Sequence, residues 1–108
     1  MTKAKKNKYR AVKTVVDNIM FSSKREAARY LQLKLMLKAG VIEKLQLQPR
    51  YKLFIGDNFI CTYVADFIYR DAKTGDNVVE DVKGVKTPVY RLKKKMLRAC
   101  YGIEVREI

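Results

Sequence analysis

The segment Phe59-Ile60-Cys61-Thr62-Tyr63-Val64-Ala65-Asp66-Phe67-Ile68-Tyr69-Arg70 is rich in β-branched and aromatic residues. It runs into Asp71-Ala72-Lys73-Thr74-Gly75-Asp76, which is turn chemistry, and then into Asn77-Val78-Val79-Glu80-Asp81-Val82-Lys83-Gly84. This pattern predicts a β-hairpin. If the turn is centred between Lys73 and Thr74, opposing residues sum to 147 and Asp66 faces Asp81 across the ladder. Val64, Asp66, Ile68, Val79, Asp81 and Lys83 then share one face, and Tyr63, Ala65, Phe67 and Tyr69 the other. Apart from Asp66 both faces of the first strand are apolar, as expected of a central strand covered on both sides.

Opposed carboxylates on a half-buried surface repel one another. At 4 Å the Coulomb cost is on the order of 4 kcal/mol at an effective dielectric of 20. Lys83 is a partial counter-charge, and adjacent carboxylate oxygens are also what Mg²⁺ or Mn²⁺ prefers. Two readings follow: a metal site, or a buried Asp–Lys–Asp salt-bridge cluster without chemistry.

The rest of the chain frames this hairpin. Residues 1–13 carry six basic residues and no acid, which reads as a flexible arm ahead of a single domain over 14–108. Asp17-Asn18 suits a tight turn between two short strands. Ser22 to Ala39 is the clearest helix, with Ser23 and Glu26 at capping-box spacing and Gly40 past its end. Leu45 to Phe54 alternates at period two around Pro49, which predicts a long strand bent or bulged there. Val89 to Cys100 is a second helix, with Thr87 and Pro88 as its start and Gly102 as its stop, and Ile103 to Ile108 closes as a strand. Helix, strand, hairpin, helix, strand implies an α/β fold with a mixed sheet.

With 108 residues and 48% apolar content the chain supports one core. Its net charge of +13 favours phosphate polyanions over lipid surfaces, and no stretch has the run of roughly 18 apolar residues a membrane helix needs. There is no histidine, so imidazole chemistry is excluded and carboxylates and lysines must carry any hydrolysis. Cys61 and Cys100 cannot build a four-ligand zinc site and read as small buried hydrophobes in a reducing cytosol. Between residues 86 and 98 stand six basic residues and no acid. Tyr90 and Lys94 there share a helical face, so they are expected to support the site or its phosphates, with Lys86 and Arg91 beside them.

Asp66, Asp81 and Lys83, placed as Asp-x14-Asp-x-Lys on a hairpin in Tyr63-Val64-Ala65-Asp66-Phe67 and Glu80-Asp81-Val82-Lys83-Gly84, resemble the motif of the PD-(D/E)XK nuclease superfamily. The chain is similar to a small phage- and prophage-encoded branch of it, over about Tyr9 to the C-terminus, including Phe21-Ser22-Ser23-Lys24-Arg25-Glu26 and Leu47-Gln48-Pro49. Ala65 departs from the proline of the superfamily name. The resemblance implies a restriction-endonuclease-like αβββαβ core and a DNA endonuclease of the Holliday-junction-resolvase kind. It implies Mg²⁺ or Mn²⁺ on Asp66, Asp81, the Val82 carbonyl and Glu26, and Lys83 as the catalytic cation. Lys24, Arg25, Gln48, Lys86, Tyr90, Arg91 and Lys94 would lie toward the DNA, with homodimers where two strands are cut, inside a bacterial host. Glu26 has a second reading as the capping-box partner of the Ser23 amide. A non-catalytic, basic nucleic-acid-binding protein is the alternative from another class.

Overall fold

A computed structural model describes residues 12–108; the expected basic arm, but for its last two residues, lies outside the described residues. β1 (Thr14–Val16) and β2 (Ile19–Phe21) form the expected small hairpin. Asp17 and Asn18 take positive φ of 54° and 62°, the geometry of a tight turn that follows the strand twist. α1 (Lys24–Lys38) starts at Ser23, whose side chain accepts from the Glu26 amide, and Gly40 follows at φ 78°.

Next come β3 (Ile42–Leu47), β4 (Arg50–Ile55), β5 (Asn58–Val64), β6 (Phe67–Asp71), β7 (Asn77–Asp81), α2 (Pro88–Tyr101) and β8 (Val105–Glu107). The main sheet has the order β3-β6-β7-β8, antiparallel except for the parallel pair β7–β8, which α2 connects. The elements that build this sheet and flank it therefore run αβββαβ, as expected. The β6–β7 register pairs Phe67 with Glu80 and Arg70 with Asn77, which is the predicted centring.

The predicted long strand does bend at Pro49, and its partner bends with it. Leu47 pairs with Phe67 before the bend and Arg50 with Val64 after it, a single register carried through the break. Gln48 sits at φ 52°; its amide donates to the Asp66 carbonyl at 2.9 Å, and the Ala65 amide donates to the Pro49 carbonyl at 3.1 Å.

One expectation is corrected here. Tyr63, Ala65, Phe67 and Tyr69 do not share a face. Phe67 and Tyr69 pack with Phe21, Ala27, Tyr30, Leu33 and Ile42 under α1. Tyr63 and Ala65 pack with Leu53, Val79, Leu97 and Val105 under α2. The ribbon rolls over between Ala65 and Asp66, because the left-handed residue Gln48 and the ring of Pro49 prevent the flat continuation that strict alternation assumes. α1 thus covers one side of the sheet and α2 the other, with Asp66 at the point where the ribbon turns over.

A smaller correction concerns Cys100, which is exposed, with its thiol 3.3 Å from the Phe54 carbonyl; Cys61 is half-buried.

Candidate active site

The roll of the ribbon sets the backbone around Asp66. Its amide donates to the Glu80 carbonyl at 3.1 Å and to Asp81 Oδ1 at 3.0 Å. In return the Val82 amide donates to Asp66 Oδ2 at 2.7 Å. Asp66 therefore caps the Val82 amide just past the end of β7, and Asp81 shares the Asp66 amide with the Glu80 carbonyl, which keeps both carboxylates at the sheet end. Asp81 is fully buried, and its Oδ2 accepts from the Tyr63 hydroxyl, which the ribbon's roll delivers from the α2 side.

Glu26 is 4% exposed. It does not close the capping box on the Ser23 amide; its Oε1 accepts from the backbone amide of Ser22 at 3.1 Å and from the Ser22 hydroxyl. From there its charge acts on Asp66.

Burial pushes the Asp66 carboxyl up to about 7; the Val82 amide opposes the shift, and the nearby Glu26 and Asp81 charges add to it. Asp81 is also raised by burial, restrained by the Tyr63 hydroxyl and the Lys83 charge. Three acids thus share one sheet end, and no ion pair joins any of them to a cation among the described residues.

Lys83 leaves the strand two residues after Asp81, and its Nζ lies 4.8 Å from the centroid of the Tyr90 ring. A cation over an aromatic face is held without being neutralised by a counter-charge. Arg25 braces the same turn: its guanidinium donates to the Lys83 carbonyl at 3.4 Å and to the Ile108 carbonyl at 3.1 Å.

Tyr90 and Lys94 do come together, as their spacing predicts, but around a residue that sequence reasoning overlooked. Glu107 of β8 is the register partner of Asp81. Its Oε2 accepts from the Tyr90 hydroxyl at 2.7 Å and from Lys94 Nζ at 3.2 Å, and its Oε1 from Lys86 at 3.2 Å. The Tyr90 hydroxyl, then Lys86 and Lys94, hold its carboxyl down at about 2 against the effect of burial. The available signal was the parallel β7–β8 pairing, which sets Val105-Arg106-Glu107 level with Val79-Glu80-Asp81.

Glu80 was also passed over. It is fully buried on the α1 side, where Arg29 grips it with two bonds of 2.8 and 2.6 Å and the Tyr69 hydroxyl donates to Oε2. This ties α1, and with it Glu26, to β7. Lys24 and Arg91 are exposed, on the first turn of α1 and on α2. Gln48 meets the site through its backbone.

By donor type the acids suit a hard divalent cation: they offer carboxylate oxygens and no nitrogen or sulfur. By position, no three His, Cys, Asp or Glu side chains among the described residues already form a metal-holding group. Asp81 spends both oxygens on the Asp66 amide and the Tyr63 hydroxyl. Val82 is seen to act through its amide.

The chain belongs to a protein family, described as "Protein of unknown function (DUF1064)", whose match spans residues 6–107. No curated protein and no solved structure gives a significant match to the chain. No helix among the described residues is long and apolar enough to cross a membrane.

Proposed function

We propose that this protein is a Mg²⁺- or Mn²⁺-dependent endonuclease that hydrolyses DNA phosphodiester bonds and selects branched substrates such as a four-way junction. The observation that carries this reading is the trio Glu26, Asp66 and Asp81 at one sheet end without a paired cation, beside Lys83 held on the Tyr90 ring. Buried like charges left uncompensated are costly in a structural site and useful in one that recruits a cation. The resemblance to PD-(D/E)XK nucleases and the charge of +13 point the same way. The same resemblance extends the proposal to phage recombination or replication in a host cytoplasm, as a homodimer where paired cuts are made.

In this reading Asp66, Asp81 and Glu26 would hold the cation. A bound Mg²⁺ lowers the pKa of water and offsets charge on a phosphate. Lys83 presents a compact positive charge to the non-bridging phosphate oxygens, oriented by the face of Tyr90. Tyr63 fixes the Asp81 carboxylate. Hydrolysis adds the water oxygen to phosphorus, breaks one bridging P–O bond and passes a proton to the leaving oxygen.

The test incubates the protein with junction, flap, duplex and single-stranded oligonucleotides in Mg²⁺, Mn²⁺ or EDTA. Lys83→Ala is expected to slow cleavage by at least about a hundredfold, the scale on which loss of one charge-stabilising donor acts. Its DNA affinity in EDTA should fall only a few-fold. Wild-type cleavage rates in Lys83→Ala would refute the mechanism.

A second reading, a non-catalytic nucleic-acid-binding protein, is favoured by the engagement of both Asp81 oxygens within the protein. It predicts tight binding and no cleavage in either metal.

A further inference from the structure

α2 and β8 enclose a groove of about 560 Å³ whose lining does not include Glu26, Asp66 or Asp81. Its lining includes Lys86, Arg91, Lys94, Lys95 and Arg98, against Glu104 and Glu107. Five cations against two carboxylates leave three net positive charges facing one cleft. The carboxylates do not neutralise the groove evenly. Glu107 takes Lys86 and Lys94, and Glu104 takes Arg98 at 3.4 Å. Arg91 and Lys95 have no ion-pair partner among the described residues, and both are exposed.

We propose that this groove is a second phosphate-binding site, which holds a backbone phosphate of the nucleic acid other than the one cleaved. Arg91 and Lys95 supply the contacts, and Glu107 presets Lys86 and Lys94 along its wall. A lysine or arginine free in solvent loses rotamer entropy when it meets a phosphate, whereas side chains already held by a carboxylate have lost much of it. The groove combines an ordered wall with two uncommitted cations, which favours an anion with several oxygens over a single carboxylate. The phosphodiester backbone fits because the same end of α2 carries Tyr90, which supports Lys83. One strand can therefore engage both places. The inference depends on the nucleic-acid part of the proposed function and not on its cleavage step.

The experiment measures binding of a duplex oligonucleotide in EDTA at a series of salt concentrations, so that chemistry plays no part. Each phosphate contact contributes about 0.9 to the slope of log K against log salt, so Arg91→Ala with Lys95→Ala should lower that slope by about 1.8. Lys73→Ala, on the β6–β7 turn and outside the groove, should leave the slope unchanged. Arg91 and Lys95 are exposed, and an unaltered melting temperature of the double variant checks that it folds. A slope equal to wild type in the double variant would overturn the site. So would an equal loss in Lys73→Ala, or retention by anionic vesicles in preference to the oligonucleotide at matched phosphate. Loss of slope in the double variant supports the groove even if no substrate is ever cut, which separates it from the nuclease reading.

Discussion

Asp66 and Glu107 flank Asp81 in the sheet, Asp66 toward β6 and Glu107 as its parallel partner on β8. They carry the same functional group, and their surroundings treat it in opposite ways. Glu107 receives a tyrosine hydroxyl and two ammonium groups and is held ionised down to about pH 2. Asp66 is pushed up to about 7, by burial first and then by two neighbouring acids, against the opposing effect of the Val82 amide. Both lie in a chain with 24 basic residues, so cations are not scarce. The difference is one of placement: the fold supplies partners to the carboxylate that organises the groove and withholds them from the carboxylates proposed to bind a metal. Glu80, on the opposite face, extends the contrast as a fully buried acid with a guanidinium to itself.

The strongest way to break this contrast is to turn a compensated acid into an uncompensated one. Arg29→Ala removes both bonds to Glu80 and leaves a buried carboxylate with only the Tyr69 hydroxyl. Breaking one side of a buried pair costs about 3–5 kcal/mol. Urea denaturation at neutral pH should show a loss of that size. A loss under about 1 kcal/mol would mean that Glu80 is not under-compensated without its arginine, because exposed pairs contribute on that scale.

The second test concerns the acids left unpaired. Asp66 has a folded value near 7 against 3.8 for the free group, so the folded state holds the proton more tightly. Its contribution to stability is full below about pH 3.8 and is lost as pH rises through about 7. Asp66→Asn cannot ionise, and its stability should fall less between those two values than that of wild type. A cation that binds only the folded state stabilises by about 2.7 kcal/mol at a hundred times its Kd. Mg²⁺ should therefore raise the melting temperature of wild type at pH 8, and Asp66→Asn should abolish most of that rise. An equal Mg²⁺ response in the two proteins would remove Asp66 from the proposed metal set.

Of this contrast, the Asp66 side is legible in the sequence and the Glu107 side is not. The register of β6 on β7, which ends at Phe67 and Glu80 and leaves Asp66 and Asp81 next in line, follows from the turn chemistry of residues 71–76. The two helices follow from Ser23 and Thr87 at their starts and the glycines past their ends. Alternation alone could not reveal that the ribbon rolls over at Gln48 and Pro49, because period-two patterning assumes a strand that keeps its faces. Tyr63 therefore lies on the other side of the sheet from the one alternation gives it, and its bond to Asp81 has no signal in the pattern. Glu107 was missed for another reason: its partners come from α2 and from the turn before it, and only the parallel closure of β8 makes them neighbours. Glu26 lies between two local readings, and the structure bonds it instead to Ser22, from where its charge helps raise Asp66.

The mildest test acts on the well-supplied member of the pair. Glu107→Gln keeps a hydrogen-bond acceptor for Tyr90 and removes the charge that holds Lys86 and Lys94. The glutamate side chain is a quarter exposed and its lysine partners more so, and solvent screening brings the expected loss at neutral pH to about 1 kcal/mol. The sign with pH runs opposite to that of Asp66. The folded value of about 2 lies below the ordinary 4.5, so the stabilisation is present above about pH 4.5 and disappears as pH falls through about 2. Denaturation at pH 7 should separate wild type from Glu107→Gln, and the two should converge on acidification. Curves that diverge at low pH instead would show that Glu107 gains nothing from its lysines. The contrast with Asp66 would then reduce to burial alone, since burial raises a carboxyl whatever its partners.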